Sequence, residues 1–108
     1  MTPMERALKS IEMTFGPDRK IVQDKIYALT RCASMLESPR WADRAFEIVK
    51  QYNIENIYDL AYQLNILLDQ EQDLVNHEFI VGADTNVRSI KKSLDIVYVL
   101  VDTEAELV

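Results

Sequence analysis

Apolar residues recur at helical spacing in five stretches of the chain, separated by Pro, Gly and Asn signals typical of helix ends. The five series are Met4, Leu8, Ile11 and Phe15; Val22, Ile26, Leu29, Ala33 and Leu36; Trp41, Ala45, Ile48, Val49 and Tyr52; Ile57, Leu60, Ala61, Leu64, Leu67 and Leu68; and Val87, Ile90, Leu94, Val97 and Val101. Two glycines and three prolines are too few for many short strands. The pattern therefore predicts an all-α fold, with residues 1–108 forming one small bundle of four to five helices.

Helix ends can also be located from single residues. The pair Ser38-Pro39 predicts the start of the third helix, because it combines a capping residue with a proline at the first helical position. Asn53 suits the left-handed conformation that ends a helix. Asn56 can cap the fourth helix, with Asp59 in its first turn, where the helix dipole favours an acid.

Residues 79–81 and 96–101 leave one alternative fold open. Residues 96–101 are apolar on every side and rich in β-branched side chains, a composition typical of a strand. The helical series that begins at Val87 continues through them to Val101, which favours a helix. If residues 96–101 were a strand, they would pair with residues 79–81 and the fold would be α+β.

Charge is distributed unevenly along the chain. No Lys or Arg occurs in the thirty-seven residues between Lys50 and Arg88, whereas seven acids do. Residues 1–50 carry a net charge of +2 and residues 51–108 carry −8, for a total of −6. The acids of the Lys/Arg-free segment are Glu55, Asp59, Asp69, Glu71, Asp73, Glu78 and Asp84.

Composition excludes several classes of function. An acidic chain lacks the cations that neutralise phosphates, so we expect no nucleic-acid partner. The longest apolar run is too short to span a bilayer, and the N-terminus has no signal-peptide core, so we expect no membrane partner. A single cysteine permits no internal disulfide. The simplest prediction for localisation is therefore the cytoplasm.

No catalytic residue, metal site or cofactor is predicted. The chain has one Cys and one His, Cys32 and His77, too few for a zinc site or for most nucleophile–base pairs. Cys32 falls on an apolar helix face and is predicted to be a small buried side chain. His77 lies in an acidic stretch and is predicted to be solvated.

Three acids of the Lys/Arg-free segment have the spacing of calcium ligands. Asp69, Glu71 and Asp73 occupy positions 1, 3 and 5 of a calcium loop, but Leu74 stands where glycine is needed and Ile80 where a bidentate glutamate is needed. This loop is therefore excluded.

Two acid pairs leave a small all-α metal-dependent hydrolase as an alternative function. Asp69 and Asp73 are four residues apart, as are Glu55 and Asp59, so each pair shares a face of a helix. A solvated acidic face explains these pairs better than a metal site does, so we expect a protein that is not an enzyme.

The Lys/Arg-free segment predicts a surface for another protein. Tyr58 and Tyr62 fall at the edge of the fourth apolar stripe, where they either pack at the core boundary or form a contact patch beside the acids. We expect a protein-binding module, such as an inhibitor, immunity protein, adaptor or accessory subunit, that docks a partner with a basic surface. The predicted contact residues are Glu55, Tyr58, Asp59, Tyr62, Asp69, Glu71, Asp73 and Glu78.

An alternative is a self-assembling structural or regulatory homo-oligomer. A helix through residues 96–101 is apolar on every side. One small monomer is not expected to bury all of these sides. Tyr98 and Val99 lie off the main stripe of the last helix, so they are the predicted oligomer interface.

Overall fold

A computed structural model describes residues 2–4, 19–77 and 82–107. It contains the α-helices α1 (Arg19–Leu36), α2 (Ile57–His77) and α3 (Ala83–Leu107), and the 3₁₀ helix Ala42–Tyr52. Within these ranges all regular structure is helical, which confirms the prediction of a small all-α fold. Most of the predicted first helix lies outside the described residues. Residues 79–81 also lie outside them.

Helix α1 buries the predicted apolar face. Ile26, Leu29, Cys32 and Ala33 are all buried in the core. The helix ends in a tight turn, because the next two backbone N–H groups bond three residues back, at 3.1–3.2 Å. Position 39 is a proline, and a proline disfavours the helical conformation in the residue that precedes it.

The third predicted helix is a 3₁₀ helix that begins later than expected. Its N-cap is Trp41, and the predicted cap Ser38 contributes its backbone instead of its side chain. The Ser38 carbonyl accepts hydrogen bonds from the N–H groups of Trp41 (3.1 Å) and Ala42 (2.9 Å). The helix ends at Asn53, whose φ of 61° is left-handed, and this confirms the predicted end.

Helix α2 begins at the predicted cap. The side-chain oxygen of Asn56 accepts the backbone N–H of Asp59 at 2.9 Å, which satisfies a donor that the first turn of a helix leaves unpaired. From there, Leu60, Leu64 and Leu67 are buried along one stripe of α2.

Helix α3 includes residues 96–101, so the α+β alternative is wrong for these residues. Their β-branched composition is outweighed by the helical spacing of Ile90, Leu94 and Val97, which buries one continuous stripe. Gly82 precedes the helix with a φ of +94°, a conformation that side chains with a Cβ rarely adopt.

Contacts between helices define the topology. Gln23 near the start of α1 lies beside Asn86 near the start of α3, so these two helices run in the same direction. Helix α2 runs against α3, since Glu71 also reaches Asn86 while the earlier residue Asn65 reaches Tyr98 further along α3. The 3₁₀ helix packs against α1.

In the described part of the chain, none of the helices combines the length and the apolar character needed to cross a bilayer.

Candidate functional site

The outward side of α2 carries tyrosines and acids together. Tyr58, Tyr62, Asp69 and Asp73 are spaced by four, seven and four residues, so they lie on one face, opposite the buried leucines. We call these four residues the α2 outer face. It extends over about 22 Å at the helical rise of about 1.5 Å per residue.

Tyr58 and Tyr62 are exposed. Tyr58 is 53% exposed and Tyr62 is 65% exposed. Asp69 and Asp73 are exposed on the same face. More than half of each tyrosine side chain is exposed, so neither ring is packed into the core, and the contact patch stays a prediction.

A tyrosine from α3 extends this face. The side-chain amide of Asn65 donates a hydrogen bond to the Tyr98 hydroxyl at 2.8 Å, and Asn65 lies one helical turn from both Tyr62 and Asp69. Tyr98 is 45% exposed. Tyr98 therefore lies at the border of the α2 outer face, a position that the chain pattern could not predict because the contact joins residues 33 apart.

Tyr98 and Val99 do not share one surface. Consecutive helical residues point about 100° apart, and Tyr98 turns toward α2 while Val99 points to solvent with 65% of its surface exposed. The predicted oligomer interface is thus divided between the border of the α2 outer face and the outward side of α3.

The prediction that Glu71 is a contact residue is wrong. It is fully buried, with 0% exposure, so it cannot lie on a docking surface. The Arg19 guanidinium meets both oxygens of its carboxylate, with Nη1 at 2.5 Å from Oε2. The Asn86 side-chain amide donates to Oε1 at 2.6 Å. The carboxylate is stable in the interior because it has a paired charge and a further donor.

Glu71 belongs to a polar network that joins all three α-helices. Asn86 and Gln23 exchange side-chain amide hydrogen bonds at 2.8 Å and 3.1 Å. Among the described residues, no buried side-chain nitrogen or oxygen is left without a partner. A signal for this burial was present in the sequence, because position 71 is four residues after Leu67 and three before Leu74, on the buried stripe of α2.

The other predicted acids have separate environments. Asp59 is half-buried and its carboxylate lies 3.4 Å from the backbone N–H of Glu55, so it takes part in the start of α2. Glu55 is exposed. Glu78 lies outside the described residues.

Cys32 and His77 lie where the sequence predicts them. Cys32 is fully buried, and desolvation by burial raises the pKa of its thiol to about 12. His77 is exposed at the end of α2. The prediction of a small buried side chain at Cys32 is confirmed, and its neutral thiol is a poor nucleophile near neutral pH.

The acid pairs of the hydrolase alternative lie in different parts of the structure. Asp69 and Asp73 share the outer face. Glu55 precedes the first residue of α2, so the prediction that it shares a helix face with Asp59 is wrong. Within the described residues, no group of three or more His, Cys, Asp or Glu side chains could hold a metal ion.

The chain was compared with protein-family models, with curated proteins and with solved structures, and none of the three comparisons gives a match.

Proposed function

We propose that this chain is a protein-binding module that docks a partner with a basic surface through the α2 outer face, with Tyr98 at the border. The supporting observation is the exposure of Tyr58 and Tyr62, at 53% and 65%, on the same face as two exposed acids. Tyrosine is among the residue types that contribute most to the affinity of protein–protein contacts.

The described neighbours do not neutralise the charge of this face. Among the described residues, neither Asp69 nor Asp73 forms a salt bridge. Lys25 of α1 does reach α2, where its ammonium donates to Gln63 at 3.0 Å, but that residue lies on the flank toward α1. The field of the outer face therefore extends into solvent, where it can accelerate encounter with a cationic surface.

The tyrosines supply contact area, which the charged side chains alone do not provide. Exposed carboxylates steer a partner, but they add little net affinity once both charges lose water. Tyr58 and Tyr62 can bury their rings against a partner while their hydroxyls remain hydrogen-bonded at the rim. Tyr58 and Tyr62 lie near Asn65, which holds Tyr98, so one partner can contact all three tyrosine rings.

A matched pair of charge variants tests this function. Affinity capture from the native host is run with the wild-type chain, with Asp69→Asn/Asp73→Asn, and with the control Asp24→Asn/Glu47→Gln. Both variants remove two negative charges, but Asp24 and Glu47 are exposed on α1 and the 3₁₀ helix. We expect one protein to be retained by wild type and control and lost from the α2 variant. Equal retention by all three baits would contradict the proposal.

A homo-oligomer is the second candidate, and Val99 favours it. This residue is 65% exposed on α3, and an aliphatic side chain gains free energy when a second copy covers it. The test is the mass in solution of the wild-type chain and of Val99→Glu.

A further inference from the structure

A groove between α1 and α3 has chemistry opposite to that of the α2 outer face. Its volume is about 390 Å³, within the range of pockets that hold small ligands. Arg31 from α1 and Lys92 from α3 both line it, and none of the described lining residues carries a carboxylate. On a chain with a net charge of −6, this is a local concentration of positive charge.

The two cations of the groove have no ion-pair partner among the described residues. Neither Arg31 nor Lys92 forms a salt bridge with any residue that the structure describes, whereas Arg88 on another side of α3 lies 3.8 Å from Asp84. Both are exposed, so their charges keep their water shells until a ligand arrives. An anion in the groove would meet a planar fork of donors from Arg31 and a point charge from Lys92.

Hydroxyl groups line the same groove. Ser34 lies on the α1 side, and Ser89 and Ser93 lie on the α3 side. The hydroxyl of the neighbouring Thr30 is engaged with the backbone carbonyl of Ile26 at 2.9 Å. Ser34 and Ser89 are exposed and form no side-chain hydrogen bond to the described residues, so their hydroxyls can donate to a ligand, whereas Ser93 is buried with 4% exposure.

The groove lining also includes apolar surface, from Tyr27 near one end and Ile96 near the other. Tyr27 lines the groove with 63% of its surface exposed, and Ile96 lines it half-buried. A ligand that satisfies the cations and hydroxyls can therefore place a flat apolar group against the tyrosine ring.

We infer that this groove binds a small organic phosphate, that is, a phosphomonoester that carries a flat apolar group. The phosphate offers a double negative charge and three acceptor oxygens, which match an Arg fork, a Lys and several hydroxyls. A long polyanion fits poorly, because the −6 chain would repel it beyond the groove. The inference is independent of the proposed function, since the groove and the α2 outer face share no residue.

Nuclear magnetic resonance titration of the full chain with phenyl phosphate tests the groove. Saturable shift changes are expected at the backbone amides of residues 27–34 and 89–96. Lys92→Gln and Arg31→Gln should each weaken binding at least tenfold. The matched control is Lys91→Gln, which removes the same charge one residue away at an exposed position outside the groove. Shifts that do not saturate, or equal weakening by Lys91→Gln and Lys92→Gln, would overturn the site.

The ligand class is tested separately with inorganic phosphate. Tyr27→Ala should lower the affinity for phenyl phosphate at least fivefold. It should leave the weaker affinity for inorganic phosphate unchanged. Equal affinities for both probes in the wild-type chain, with no effect of Tyr27→Ala, would show that the groove takes a bare anion and that the organic class is wrong. Thermal unfolding of each variant by circular dichroism verifies that the fold persists.

Discussion

Arg19 and Glu71 form a bidentate salt bridge in the protein interior although 52 residues separate them in the chain. Arg19 is 6% exposed and Glu71 is 0% exposed. The pair fixes the first turn of α1 against the middle of α2, and Asn86 adds the first turn of α3. One carboxylate therefore sets the relative positions of three helices.

Removing either partner of this bridge is expected to be costly. Glu71→Ala leaves the Arg19 guanidinium buried and unpaired, which should lower the free energy of unfolding by about 3–5 kcal/mol. The free energy of unfolding should fall much less in the double variant Arg19→Met/Glu71→Leu, because this variant leaves no unpaired charge. Urea unfolding measures both. A Glu71→Ala variant as stable as wild type would mean that the pair makes no net contribution.

The acids of the α2 outer face are expected to act on the association rate. Asp69→Asn/Asp73→Asn should lower the on-rate for a basic partner and barely change stability, since exposed charges of like sign contribute little to folding. Glu71 is left out of this variant because its burial would confound the result. Screening shortens to about 8 Å at physiological ionic strength, so the wild-type on-rate should fall with salt. An on-rate indifferent to salt and to both substitutions would leave the face as a solubilising surface only.

The outer-face tyrosines are expected to act on the dissociation rate. Tyr58→Ala and Tyr62→Ala should each raise the off-rate several-fold by removing contact area. Stability should change by about 0.5 kcal/mol or less, because both rings are exposed. Tyr27→Ala, at 63% exposure on α1, is the matched control and should leave partner kinetics unchanged. Surface plasmon resonance resolves the rates, and unchanged dissociation from both α2 variants would exclude the tyrosines from the contact.

Val99 provides a test of self-association. If a second copy covers this side chain, Val99→Glu should convert a dimer to a monomer and keep the helix content, because the side chain makes no part of the core. Sedimentation at tens of micromolar, together with circular dichroism, measures both quantities. A wild-type chain that sediments as a monomer at that concentration would remove the oligomer alternative.

The Cys32 thiol predicts how stability changes in alkaline solution. Burial raises its pKa from 9.0 to about 12, so the folded state keeps the proton that the unfolded state loses. Its contribution to stability is complete below pH 9 and falls as the pH rises from about 9 to about 12. Cys32→Ala should flatten this part of the stability curve. A curve of unchanged slope would show that other groups control alkaline unfolding.

Local patterns predicted most of the fold. The spacing of Ile90, Leu94 and Val97 was sufficient to predict a helix through residues 96–101, because one buried stripe requires that period. Asn53 and Asn56 marked helix ends through their own backbone and side-chain chemistry. The 3₁₀ geometry of Ala42–Tyr52 was not predicted, since apolar spacing alone does not distinguish it from an α-helix.

The candidate site was predictable only in part. Tyr58 and Tyr62 lie opposite the buried leucines of α2, not at the edge of the apolar stripe as predicted, and the period of their own helix is enough to place them there. Glu71 was placed with the acids by charge, although its position on the stripe indicates burial. Its partner Arg19 and the Asn65–Tyr98 contact depend on how separate helices pack, and no local pattern contains that information.

The Asn65–Tyr98 hydrogen bond has a consequence for how the two proposed associations would coexist. It holds the Tyr98 ring at the border of the α2 outer face, whereas Val99 points to solvent from the outward side of α3. A basic partner at the α2 outer face and a second copy at Val99 would therefore use separate surfaces. One molecule could hold both at once, and a dimer would present two partner surfaces.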